Sequence, residues 1–259
     1  MITSARNPKI QWVRKLQSQP RLRREAGAFV VEGVRLAEEA LASGWEAQLV
    51  LHSPDLDARG QQVADGFIAR GTPYELVSDD VLRSASDTQT PQGILVVLSR
   101  QTLPLPQQTD FIFVMDGVRD PGNLGGMLRS AAAAGVDLVC LTEGTTDPWA
   151  PKVLRAAMGA HFHLPLQNLS WEELSTLAQG AGLRIYLADT SGGIAYTQAD
   201  FRSPLALIVG GEAEGASPPA LALADEQVRI PMPGGSESLN AAAAAAILLF
   251  EAVRQRRSG

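Results

Sequence analysis

Three polar, glycine-rich stretches hold the residues best suited to chemistry, and each follows an apolar run. The first, Asp116 to Arg129, carries four glycines, Asn123 and Arg129, and Arg129 is the single charge between Asp120 and Asp137. The second, Gly210-Gly-Glu-Ala-Glu-Gly-Ala-Ser217, pairs glycines at 210, 211 and 215 with the carboxylates of Glu212 and Glu214. The third opens with Val228 and Ile230, passes Pro231, Met232, Pro233, Gly234 and Gly235, and presents Ser238, Leu239 and Asn240 before six alanines. Glycines let a ligand approach backbone amides closely, and a helix N-terminus collects partial positive charge. Each stretch also reads as an ordinary strand-to-helix turn, since Ser and Asn are preferred caps. Three such loops after three strands favour a shared binding cleft, because open α/β sheets bind ligands at the carboxyl ends of their strands.

The spacing of apolar residues supplies the elements that would hold these loops. Phe111–Met115, Leu138–Leu141, Arg184–Ala188 and Leu205–Val209 read as buried parallel strands, with a further strand expected at 162–166. Helices are expected at 124–134, capped by Asn123, at 151–158, at 171–179 and along the alanine run. Upstream, strands at 29–31, 49–51, 74–77 and 93–98 alternate with helices at 34–42, 56–70 and 79–85. Ile10, Val13 and Leu16 mark a short amphipathic helix before them. Residues 101–109 contain Pro104 and Pro106 without hydrophobic periodicity and read as a linker. The expected organisation is therefore an α/β domain over 1–100, a linker over 101–109 and a second α/β domain over 110–259.

Composition narrows the function classes. The chain of 259 residues is 45% hydrophobic, enough for one large core or two modest ones. It has no apolar run of about 18 residues and no apolar leader, so no membrane association and a cytoplasmic setting are expected. The lone Cys140 excludes an internal disulfide, and three histidines make a metal centre an unpromising expectation; His161 and His163 would share one face of a strand. The glycines of the first loop fit neither the dinucleotide nor the P-loop pattern. Net charge is -6, yet Arg6, Lys9, Arg14, Lys15, Arg21, Arg23 and Arg24 precede the first acidic residue, Glu25. A local basic face of that kind supplies phosphate contacts, and Arg6, Lys9, Arg21, Arg23 and Arg24 are the candidate nucleic-acid contacts.

Asn123 with Arg129, Gly210-x-Glu212-x-x-Gly215, Ile230-Pro-Met232 and Ser238-Leu-Asn240 resemble, in order, the three signature motifs of the SpoU (TrmH-type) class of SPOUT RNA ribose 2'-O-methyltransferases. Ile2-Thr-Ser, Asn7-Pro8, Phe29-x-Val-Glu-Gly33 and Thr90-Pro-Gln-Gly93 resemble the substrate-binding domain that precedes this fold in rRNA-modifying members. The resemblance implies a mostly parallel α/β domain with a trefoil knot behind a smaller α/β RNA-binding domain, S-adenosylmethionine as methyl donor, and a homodimer. It implies a donor site at Gly210, Gly211, Gly215, Ile230, Met232 and Leu239, and catalytic roles for Asn123, Arg129, Glu212, Ser238 and Asn240. The expected substrate is RNA, rRNA ahead of tRNA. A non-catalytic RNA-binding protein on the same fold is the competing expectation.

Overall fold

The computed structural model of the chain describes residues 1–211 and 215–257. In chain order the first elements are α1 (Pro8–Ser18), α2 (Pro20–Ala26), β1 (Ala28–Glu32), α3 (Val34–Ala42), β2 (Ala47–His52), α4 (Ala58–Ala69), β3 (Tyr74–Leu76), α5 (Asp79–Ala85) and β4 (Ile94–Ser99). Then come β5 (Phe111–Asp116), α6 (Pro121–Ala134), β6 (Leu138–Leu141), α7 (Pro151–Ala157), β7 (Leu166–Asn168), α8 (Trp171–Ala181) and β8 (Arg184–Ala188). The chain closes with β9 (Ile194–Ala195), β10 (Leu205–Gly210), α9 (Pro218–Leu223), β11 (Glu226–Arg229) and α10 (Ala241–Arg257).

Two compact units result. One comprises Met1–Gln101 together with Asp147–Phe162, and the other comprises Thr102–Thr146 with the chain from His163 onward. In the first, the sheet order among the described residues is β1-β4-β2-β3, with β4 antiparallel to both neighbours and β3 parallel to β2. Helix α1 begins at Pro8 behind Asn7, whose side chain accepts from the Lys9 amide, and lays Ile10, Val13 and Leu16 into the core. Val30, Leu49, Leu51, Leu95 and Val97, alternate positions on their strands, meet them there.

The segment 147–162 belongs to this first core, although it is separated in sequence from the rest of the unit. Trp149 lies 4.5 Å from the Phe29 ring and 5.1 Å from the His161 ring, and Trp45 lies 5.2 Å from Phe162. Residues 160–162 form a single 3-10 turn, so the strand expected at 162–166 is displaced to Leu166–Asn168. His161 is buried while His163 is exposed, which corrects the expectation that the two share a face. Apolar Phe162 and Leu164 imitate strand alternation, but Met158 and Gly159, both at positive φ, turn the chain before them.

His161 Nε2 donates to the Pro148 carbonyl over 2.8 Å, while Nδ1 has no hydrogen-bond partner among the described residues. Burial pushes its pKa down to about 4, so the folded ring is neutral. Below the ordinary value of 6.5 the unfolded chain takes up a proton that the folded chain refuses, so stability falls as pH falls from about 6.5 towards 4. The expected loss between pH 7 and pH 4.5 is roughly 2.5 kcal/mol, and urea titrations should show it in the parent chain but not in His161→Phe. Equal pH slopes in the two proteins would contradict this assignment.

The second unit is a sheet of order β7-β6-β5-β10-β8-β11-β9 among the described residues, with all these pairings parallel. Ile112, Val114, Ala206 and Ile208 of the central strands pack with Leu174 and Ala178 of α8 on one face. Helices α6 and α10 pack on each other so closely that a Cβ added at Gly126 would stand 3.2 Å from the Ala242 Cβ. Small residues at that contact let the two helix N-termini approach. No helix among the described residues is long and apolar enough to cross a membrane.

Candidate active site

The first loop leaves β5 at Asp116 and enters α6 at Pro121. The N-cap is Asp120, whose carboxylate accepts from the Asn123 amide over 2.8 Å, rather than Asn123 itself. Pro121 at the first helical position was the available signal, since proline is tolerated there and Asp is a strong cap just before it. Capping by Asp120 leaves the Asn123 side chain for another partner. Its Oδ1 accepts from Asn240 Nδ2 over 2.8 Å. Asn240 in turn caps α10, its Oδ1 accepting from the Ala242 and Ala243 amides at 3.0 and 3.2 Å. With the oxygen facing two N–H donors, the amide group must face Asn123, which fixes both orientations. The first and third loops are thereby joined side chain to side chain.

Asp116, buried at the end of β5, joins the first loop to the second. Its carbonyl accepts from the Gly211 amide at 2.9 Å, one carboxylate oxygen accepts from the Ser217 amide at 2.8 Å, and the other accepts from Thr142 Oγ1 at 3.1 Å. Sequence reasoning gave Asp116 no role. Its signal was a carboxylate closing an otherwise apolar strand. The glycines of the second loop sit where no side chain fits: a Cβ at Gly210 would come within 2.6 Å of the Gly215 carbonyl oxygen, and one at Gly211 within 2.7 Å of the Gly117 carbonyl oxygen.

The second and third loops line a cavity of about 530 Å³, within the range of about 300–1,000 Å³ usual for small-molecule sites, whereas Asn123 and the rest of the first loop do not line it. Gly210, Gly211, Gly215, Ile230, Met232 and Leu239 all line it, as do Ser238 and Asn240. Ala188, Asp189 and Thr190, at the end of β8, form a wall that sequence reasoning missed. Beside it lies a hollow of about 240 Å³ that shares Gly211, Gly215 and Ala216 and adds Asp116, Arg119 and Glu143. Apolar walls with exposed backbone groups and few charges suit a flat heteroaromatic group better than a phosphate.

Not every expected residue gathers here. Arg129 is exposed on α6, does not line the cavity, and makes no hydrogen bond or ion pair among the described residues. Glu212 lies outside the described residues. Among the candidate RNA contacts, Arg6 and Arg24 are exposed, while Lys9 and Arg21 form exposed pairs with Glu75 and Glu25 that little free energy holds. Arg23 is a correction: it is 2% exposed, paired with Asp147 at 2.7 Å and bonded to the Leu16 and Gln17 carbonyls. A guanidinium so enclosed supports its own fold and meets no RNA. At the other terminus Arg256 is likewise occupied, by Asp110 at 2.6 Å and by the face of Phe111. No group of three or more metal-binding side chains occurs among the described residues.

Comparison with known proteins agrees with this architecture. Residues 110–250 match the SpoU rRNA Methylase family, and residues 7–96 match the MRM3-like substrate binding domain. The chain is 33% identical to the 23S rRNA (guanosine(2553)-2'-O)-methyltransferase RlmP of Bacillus subtilis, covering 96% of this chain and 97% of that protein. It is 32% identical to human mitochondrial rRNA methyltransferase 3, covering 93% of this chain and 71% of that one. The crystal structure of an AdoMet-bound rRNA methyltransferase from Sinorhizobium meliloti superposes with a TM-score of 0.88 at 32% identity, over 98% of this chain and 97% of that one.

Proposed function

The chain belongs to the SpoU rRNA methylase family, and from that membership and the joined loops we propose that it transfers a methyl group from S-adenosylmethionine to a ribose 2'-hydroxyl of rRNA. The observation that carries this reading is the cavity itself, which all six residues that the family resemblance implies for the donor help to line. S-adenosylmethionine bound there supplies an electrophilic methyl on a sulfonium. Ile230, Met232 and Leu239 would pack the adenine, the uncovered backbone at Gly210, Gly211 and Gly215 would accept close approach, and Ser238 and Asn240 would orient donor or ribose by hydrogen bonds.

The chain's own contribution is placement of the hydroxyl in line with the methyl and stabilisation of the oxygen as its proton passes to a phosphate oxygen of the RNA or to water. Asn240 is held by Asn123, so both amides are pre-oriented before any ligand arrives. The guanidinium of Arg129 offers a fork of N–H donors suited to holding a substrate phosphate or the developing alkoxide. Because it stands away from the cavity of its own chain, Arg129 acts in a homodimer, on the partner's site. Ile247 and Phe250, exposed one turn apart on α10, offer apolar surface to such an interface. Glu212 orients the first loop, the domain over 1–100 docks the RNA with Arg6, Lys9, Arg21 and Arg24 contributing, and residues 110–259, apart from the segment 147–162 that packs in the first unit, form the knotted catalytic domain. The protein works in the cytoplasm.

Arg129→Lys is expected to lower kcat about a hundredfold or more, the loss typical of removing one donor from a charge-stabilising site. The dissociation constant for S-adenosylmethionine should stay unchanged, since Arg129 does not line the cavity. Near-normal turnover in that variant would remove the guanidinium from the mechanism. The assignment as a whole is tested by mapping 2'-O-methyl positions in RNA from cells with and without the protein. One rRNA ribose should lose its methyl group; a loss confined to tRNA, or none, would contradict the reading.

A further inference from the structure

The first unit contains a cavity of about 880 Å³, larger than the proposed donor site, that none of the chemistry above uses. Its rim is a built structure. The Glu32 carboxylate accepts from the Asp87 amide at 2.9 Å and from the Thr88 hydroxyl, and Gln92 Oε1 accepts from the Val34 amide at 3.0 Å. Gly33, at φ +94°, makes that last bond possible, since a Cβ there would stand 2.7 Å from the same Gln92 oxygen. Arg155 grips Asp87 from the segment 147–162 at 2.7 Å. The loop 87–93 is therefore fastened at both ends, to Glu32 and Arg155 on one side and to the start of α3 on the other. This accounts for Glu32-Gly33 and Thr90-Pro-Gln-Gly93, which the sequence singles out and which the methyl-transfer site does not employ.

What the fastened loop presents is the second observation. Gln89 and Thr90 stand exposed at its tip and line the cavity, with the guanidiniums of Arg35 and Arg83 exposed on its other walls. The guanidiniums of Arg35 and Arg83 make no hydrogen bond or ion pair among the described residues, although Arg35 adds to the field on Glu38, whereas Arg59, also on the wall, is committed to Glu38. The carboxylates lining the cavity balance the arginines: Asp57 caps α4, Asp79 accepts from Ser53, and the Asp55 carboxylate makes no hydrogen bond or ion pair among the described residues. A wall of alternating sign repels a continuous phosphate track, so a duplex backbone is poorly served. A single unstacked nucleotide is well served, with its phosphate between guanidiniums and its base edge against amide, hydroxyl and carboxylate groups.

We propose that this cavity is a recognition site for one unpaired nucleotide of the RNA substrate, with Arg35 and Arg83 on its phosphate and Gln89, Thr90 and Asp55 on its base. The proposal rests on the reading that RNA is the substrate, and it moves the centre of docking from the basic leading helices to the loop 87–93. The test uses the full chain and an in vitro transcribed 23S rRNA carrying 4-thiouridine, photo-crosslinked and mapped by mass spectrometry of the attached peptides. Cross-links are expected on the peptide spanning Gln89 to Gln92. Cross-links confined to α1 and α2 would overturn the site.

Filter binding with the same transcript gives a second readout. Arg35→Ala/Arg83→Ala should weaken binding at least tenfold, and an unstructured RNA oligonucleotide should compete better than a duplex of the same sequence. Both arginines are exposed, so the double variant should keep the melting temperature and the S-adenosylmethionine affinity of the parent. Parent-like RNA binding by the double variant, or competition by duplex as strong as by single strand, would overturn the proposal. If the parent chain binds the transcript and shows these effects but transfers no methyl group, the site stands and the enzymatic reading fails instead.

Discussion

Gly211→Ala should reduce affinity for S-adenosylmethionine roughly ten- to a hundredfold while leaving the chain folded. The added Cβ would stand 2.7 Å from the Gly117 carbonyl oxygen, an approach that backbone must relieve by moving. The movement cannot stay local, because the Gly211 amide is bonded to the Asp116 carbonyl at 2.9 Å and Asp116 also holds Ser217. The second loop, which lines the donor cavity, would be displaced from the first. Overpacking of this kind costs about 1–3 kcal/mol, and about 1.4 kcal/mol is a factor of ten in binding. Gly180→Ala is the control, since Gly180 lies in α8 with nothing within 4 Å of the position a Cβ would take. Titration calorimetry decides: equal affinities in the two variants would mean that the glycine loop does not shape the donor site.

The largest effect on stability is expected from Asp147→Ala. Arg23 is 3% exposed at its side chain and Asp147 15%, so the pair is nearly enclosed, and removing the carboxylate strands a buried guanidinium. Loss of one partner from a buried pair costs about 3–5 kcal/mol, well above the worth of an exposed bridge. Unfolding of the first unit followed through the fluorescence of Trp149 should show a much lower urea midpoint. Arg23→Met/Asp147→Ala should recover part of the loss, because no buried charge then remains. A loss below about 1 kcal/mol in the single variant would show that water reaches Arg23 freely.

The three glycine-rich loops were legible in the sequence because their requirement is local. A glycine needed where a carbonyl crowds the backbone, or an Asn placed before a run of alanines, declares itself without its partners. The parallel strands were legible for the same reason, since burial on both faces demands continuous apolar runs such as Phe111–Met115. What escaped depends on residues far apart in the chain. That 147–162 joins the first unit follows from Trp149 finding Phe29, and that Arg23 is buried follows from Asp147; neither has a periodic signal. The cap of α6 was misassigned between two good capping residues three positions apart, and only Pro121 separated them. His161 and His163 were misread because a 3-10 turn with apolar neighbours alternates much as a strand does.

The account stands on the three loops acting together as one site for methyl transfer to a sugar. The direct measurement incubates the purified chain with an unmodified 23S rRNA transcript and S-adenosylmethionine labelled in its methyl group, then digests the RNA to nucleosides and separates them. The label should appear in a single 2'-O-methylated nucleoside and should vanish with Asn240→Ala, which removes both the cap of α10 and the bond to Asn123. Label found in a base-methylated nucleoside, or transfer undiminished by Asn240→Ala, would contradict it.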